Sequence, residues 1–236
     1  MLPISDDNRG RRSQPYVVWT LIAINVVIFA YEFVLDQHAL NDLFARWAVI
    51  PAEVSSGHLL YTLVTCAFLH GSWLHLGGNM LFLWIFGDNV EDVMGHTRFL
   101  IYYLLTAIIA SAAQVLVNPD STTPLVGASG AISGVLAAYI VMFPRGRIRT
   151  LVFLGVFFTA IMVPAWLMIG YWILLQLLSG LSTLGVDDVS GGVAFFAHIG
   201  GFIGGLALVG LFRDRGRLER QRTRRRTYDG QSWRQG

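Results

Sequence analysis

Apolar residues in this chain run in long blocks, not in the one-sided stripes of a helix half in water. A membrane-crossing helix needs about 20 such residues. Six segments qualify: 16–36, 72–91, 99–117, 129–143, 159–180 and 193–212. Residues 151–179 are almost continuously apolar, with Pro164 inside. The part from 151 to 158 reads as an interfacial or re-entrant entry to the fifth span. The pattern predicts an all-α polytopic membrane protein built as a six-transmembrane-helix bundle. It divides the chain into an N-terminal segment (1–15), a six-span domain (16–212) and a tail (213–236) expected to be disordered.

Composition agrees with that division. Of the 236 residues, 54% are hydrophobic and 14% charged, against about 25% charged in a typical soluble domain. All 17 basic residues are arginines, and nine lie in residues 213–236. Cytoplasmic loops carry the excess of basic residues. With six spans and both termini cytoplasmic, every arginine except Arg46 falls on the inner side. An odd number of spans would put one arginine-rich end outside. The tail is read as a solvated topology signal that can also touch the lipid bilayer, at ~1 kcal/mol per residue near anionic headgroups. No nucleic-acid partner is expected. The first apolar run has neither the length nor the cleavage site of a signal peptide. The lysine-free, arginine-rich usage suggests a GC-rich bacterial genome, hence a multi-pass protein of the bacterial cytoplasmic membrane.

The fourth span is short. From Ser129 to Phe143 is a rise of ~21 Å at ~1.5 Å per residue, against a hydrocarbon core of ~30 Å. Arg145 pins the inner end, so Ser129 is expected ~9 Å below the outer surface. The preceding stretch, "NPDSTTPLVGA", must dip to reach it. Irregular backbone at that depth needs protein cover or a water-filled cavity. In the sixth span the spacing from His198 to Phe212, just before Arg213, is the same. His198 is therefore expected at the depth of Ser129. An intramembrane histidine is a functional-site hypothesis by default.

Gly201 and Gly205 follow His198 on its face of the sixth span, and Gly130 and Gly134 follow Ser129 on the fourth. Small residues at this spacing let membrane helices approach closely. A serine hydroxyl is a weak nucleophile until a base takes its proton, and a neutral imidazole can do so. No carboxylate is placed to orient that imidazole, so a Ser–His dyad is expected. His75 and Asn79, at i and i+4 on the second span, and the Ser129 backbone N–H are candidate donors to an oxyanion. Gly127 lets the backbone turn tightly into the fourth span. The fifth span, with Trp166 and Trp172, is a candidate movable wall for lateral entry of a substrate.

Alone, each feature has a plainer reading: glycines for packing, a histidine and an asparagine tying helices together, and Ser133 bonding back to a helical carbonyl. Their coincidence on three spans favours chemistry. Other intramembrane chemistries lack their residues. There is no His-Glu-x-x-His and no pair of intramembrane aspartates. The single cysteine, Cys66, allows no intrachain disulfide, and no cofactor or metal is expected. A transporter is disfavoured by the scarcity of intramembrane carboxylates.

The segments "FLHGSWLHLGGNMLFLWIFGDNVED", "GASGAISG" and "AHIGGFIGG" together resemble the rhomboid intramembrane serine proteases of the bacterial six-helix type. The resemblance covers roughly residues 16–212. It implies that Ser129 is the nucleophile, His198 the general base, and His75 and Asn79 part of the oxyanion hole. It implies membrane-protein substrates, single-span or polytopic, cleaved near the outer membrane boundary, with the active site opening to the extracytoplasmic side. The alternative is a non-catalytic rhomboid-like binder of membrane proteins. Two positions depart from the family pattern. Many members place an aromatic four residues after the serine, to pack on the catalytic histidine, and here that residue is Ser133. A Trp-Arg pair found in some first outer loops appears here only in reverse, as Arg46-Trp47.

Overall fold

The computed structural model describes residues 2–8, 10–154, 157–182 and 194–232. The chain opens with a short strand, β1 (Leu2–Ser5), then α1 (Tyr16–Val34). The stretch after α1 holds α2 (Gln37–Trp47), α3 (Pro51–Ser55), α4 (Thr62–Thr65) and a 3-10 turn at Cys66–Phe68. Next come α5 (Trp73–Met94), α6 (His96–Val117) and α7 (Ser129–Met142). A hairpin of β2 (Arg147–Leu154) and β3 (Phe157–Pro164) leads into α8 (Ala165–Ser182), α9 (Phe195–Phe212) and α10 (Arg215–Ser232).

The protein is mostly helical, and α1, α5, α6, α7, α8 and α9 fall on the six expected segments. Of these, α1, α6, α8 and α9 are long and apolar enough to cross a membrane. The helix α7 has only 14 residues, and α5 carries Asp88, Glu91 and Asp92 in its last turns. Around α7 pack α5, α6 and α9, and nearly all of its residues are buried. Small residues allow this. A Cβ on Gly201 would fall on the Gly130 carbonyl, and one on Gly205 would lie 2.7 Å from the Gly134 Cα. Backbone thus lies against backbone where α7 and α9 cross.

The region 147–164 differs from the sequence reading. It is a hairpin, paired antiparallel from Arg147↔Pro164 to Leu154↔Phe157, and β1 adds a third strand through Leu2↔Leu151 and Pro3↔Thr150. Apolarity alone does not separate strand from helix. Here β-branched and aromatic residues (Ile148, Thr150, Val152, Phe158, Thr159, Ile161, Val163) favour the strand. Pro164 ends it, so the fifth long helix starts at Ala165 and not at 159.

The tail also departs from expectation. It is helical from Arg215 to Ser232 and not disordered over that stretch. Leu218, Gln221 and Arg225, spaced i, i+3 and i+7, form a stripe exposed by only 6%, 1% and 9%. Gln221 and Arg225 donate to the Asn89 side chain on α5, and Arg222 donates to the Met142 carbonyl at the end of α7. The Arg225 guanidinium lies 4.4 Å from the centre of the Phe143 ring. A charged sequence therefore docks because its polar groups find partners at the C-terminal ends of α5 and α7.

Between α1 and α5, the Asp36 carboxylate caps α2 by accepting from Ala39 N at 2.8 Å. The loop is laced to the stretch before Ser129. Val49 and Leu125 exchange both backbone hydrogen bonds, and Gly127 N donates to the Cys66 carbonyl at 2.9 Å. The stretch before Ser129 is thus covered by protein on this side.

Candidate active site

Ser129 is the first residue of α7. Just before it, Gly127 has φ +126°, a region that favours glycine. A Cβ there would sit 2.7 Å from the His75 ring atoms Cε1 and Nε2 and 3.7 Å from Asn79 Nδ2. The missing side chain is what lets His75 and Asn79 reach the backbone leading to the serine. The Ser129 N–H belongs to the first turn of α7, where helical amides have no partner within the helix.

From α9, His198 approaches the serine. Its Nε2 lies 2.7 Å from Ser129 Oγ, within proton-transfer reach. The other ring nitrogen, Nδ1, lies 2.7 Å from Gln176 Oε1 on α8. One turn earlier on the same helix, Trp172 packs against the imidazole with ring centroids 5.6 Å apart and planes tilted by 39°. Trp172 thus covers the ring where the sequence left a gap at Ser133. Ser133 itself donates back to the Ser129 carbonyl at 2.6 Å. Trp166, the other tryptophan of the expected movable wall, is exposed.

The two side chains from α5 are held as well. The Ser72 hydroxyl accepts from His75 N and caps the helix. Asn79 Nδ2 lies 2.9 Å from His70 Nε2, and the His70 and His75 rings meet edge to face at 5.1 Å. His70 N in turn donates to the Glu32 carboxylate at 3.2 Å.

Sequence reasoning did not single out His70 or Gln176, and it read Trp172 as part of a movable wall and not as the neighbour of His198. Gln176 could have been noticed as an amide amid leucines, in "ILLQLLSG". Its partner could not, because the rotation of α8 against α9 is not written in either segment. A group of His, Cys, Asp and Glu able to hold a metal is absent among the described residues.

Residues 57–215 match the Rhomboid domain family. The chain belongs to the rhomboid family. Relatives of this rhomboid include rhomboid protein 1, mitochondrial, of Saccharomyces cerevisiae, 31% identical over 213 residues, which cover 89% of this chain and 56% of that one. Rhomboid protease GluP of Bacillus subtilis is 31% identical over 199 residues, covering 83% and 34%. Rhomboid-like protein 11, chloroplastic, of Arabidopsis thaliana is 31% identical over 136 residues, covering 58% and 45%. This rhomboid spans about half the length of these relatives, or less. Its apolar helices and its family make it a multi-pass membrane protein.

Proposed function

We propose that this rhomboid is an intramembrane serine endopeptidase that cleaves membrane-protein substrates near the outer membrane boundary. The 2.7 Å contact between Ser129 Oγ and His198 Nε2 carries the reading. Membership of a family that includes a relative named a protease supports it.

In this mechanism His198 accepts the Ser129 proton as the oxygen attacks the scissile carbonyl. The tetrahedral oxyanion forms beside Gly127. There the Ser129 N–H, His75 and Asn79 donate to it, and the dipole of α7 favours its charge. His198 then protonates the leaving amine, and water resolves the acyl-enzyme. A substrate helix must unwind to present its peptide bond, because a helical carbonyl is shielded within its own turn. Helices α1, α5, α6, α7, α8 and α9 serve as spans with both termini cytoplasmic, a topology favoured by the arginine distribution. The 14-residue α7 rises only ~21 Å, so its serine end opens into a depression on the extracytoplasmic side of a bacterial membrane.

The test is cleavage of a single-span substrate in proteoliposomes. Wild-type protein yields two fragments with a new terminus near the outer boundary, and His198→Ala yields none. Binding of the substrate without cleavage by either protein would replace the peptidase with a non-catalytic binder.

A further inference from the structure

Among the described residues no carboxylate stands behind the imidazole of the dyad, yet the imidazole is not left free to choose its tautomer. Gln176 Oε1 lies 2.7 Å from His198 Nδ1. An amide oxygen only accepts. Paired with it, Nδ1 must carry the ring proton, and Nε2 is left with the lone pair that faces Ser129 Oγ. The other tautomer would put N–H at Nε2 and leave the serine without a base. Trp172 lies at i relative to Gln176 at i+4, on the same face of α8, and packs against the imidazole. One helix thus supplies both a hydrogen bond along the ring plane and an aromatic neighbour for the ring.

We infer that Gln176 is a positioning residue that fixes the productive tautomer of His198, with Trp172 holding the ring's tilt. The inference rests on the peptidase reading. A glutamine within an apolar helix is costly unless its amide is satisfied, and its partner here is the base of the dyad. The arrangement does with a neutral amide what a carboxylate does behind a histidine elsewhere. The imidazolium formed during reaction therefore gains orientation from Gln176 but no charge pairing. Positioning also ties activity to the seat of α8, because a shift of that helix away from α9 removes both contacts at once.

The test compares Gln176→Leu, Gln176→Met and Gln176→Glu with wild type in proteoliposomes, measuring kcat and KM separately for one single-span substrate. General-base catalysis is worth ~10²–10⁴-fold, and losing the tautomer bias costs part of it. Gln176→Leu and Gln176→Met are expected to lose ~10–100-fold in kcat with KM within about twofold of wild type. A carboxylate keeps the acceptor and cannot donate when ionised, so Gln176→Glu is expected to recover most of kcat. Thermal unfolding of each variant identifies any that fail to fold, and Gln176→Met, close to glutamine in shape, serves if Gln176→Leu does. Wild-type kcat in a folded Leu or Met variant would overturn the inference. So would a Glu variant that folds and is as slow as Gln176→Leu. Ser129→Ala and His198→Ala run beside them. If these lose activity while the Gln176 variants keep it, the positioning role fails and the peptidase stands. If they keep activity, the peptidase itself fails.

Discussion

Two polar regions sit at opposite ends of the bundle, and they are built differently. At the end that carries Ser129, polar groups are few and each contact is directional: Ser129 to His198, His198 to Gln176, Asn79 to His70. At the other end they form a dense mesh. Arg11 pairs with Asp88 at 2.6 Å. Ser13 N and Oγ both donate to Asp92. Val17 N and Val18 N donate to Glu91, which caps α1 and also meets His96 Nδ1. Asn89 donates to Asp6 and Asn8 while accepting from α10. The mesh ties the N-terminal segment, α5 and α10 together. The serine end gathers His75 and Asn79 beside Gly127 and brings His198 onto Ser129. The difference teaches that polarity among apolar helices does not by itself mark a site. A base in contact with a nucleophile, with polar side chains gathered next to them, does.

The comparison breaks most visibly if variants at the two ends behave alike. At the serine end, activity should fall further than stability accounts for. Asn79→Ala removes the proposed oxyanion donor and is expected to lower kcat of the folded protein by ~10²–10³-fold, measured against a single-span substrate, while orphaning His70 Nε2 lowers stability by only ~1–3 kcal/mol. Gly201→Val, by contrast, drives a side chain into the Gly130 carbonyl. Overpacking costs ~1–3 kcal/mol or more, so activity and thermal stability should fall together in paired assays.

At the mesh end, stability should fall while the chemistry per folded molecule holds. Glu91→Ala leaves the first amides of α1 unpaired, at ~1–3 kcal/mol for a buried orphaned group. A lower midpoint with unchanged specific activity is expected from thermal unfolding and turnover of the folded fraction. The smallest effect concerns pH. Burial pushes the Asp6 carboxyl up to about 6 from the usual 3.8, partly offset by the Tyr139 hydroxyl and Arg225. Folding then favours the protonated form, whose stabilisation is complete below about 3.8 and lost as pH rises through about 6. Stability should decline over that window, and Asp6→Asn should flatten the slope in a series of unfolding curves.

Much of this was legible in the sequence. The helices α1, α6, α8 and α9 follow from long apolar runs, because the hydrocarbon thickness sets the length of a membrane-crossing helix. The matched 14-step spacings from Ser129 to Phe143 and from His198 to Phe212 required no knowledge of packing, and the two side chains lie in contact. What escaped depends on pairings between distant segments. The β2–β3 hairpin was hidden by apolarity that suits strand and helix alike. The docking of α10 depends on Asn89, more than a hundred residues away in sequence from Gln221 and Arg225. Trp172 and Gln176 meet His198 only through the rotation of α8, and His70 reaches Asn79 only because the loop before α5 folds back.

The most direct measurement is covalent labelling of the purified protein by a fluorophosphonate, with the modified residue mapped by mass spectrometry. An activated alcohol beneath the membrane surface should take the phosphonyl group at Ser129 alone, and labelling should vanish in Ser129→Ala and His198→Ala. Equal labelling of Ser129→Ala, or none in an intact wild-type protein that still cleaves its substrate, would contradict the account.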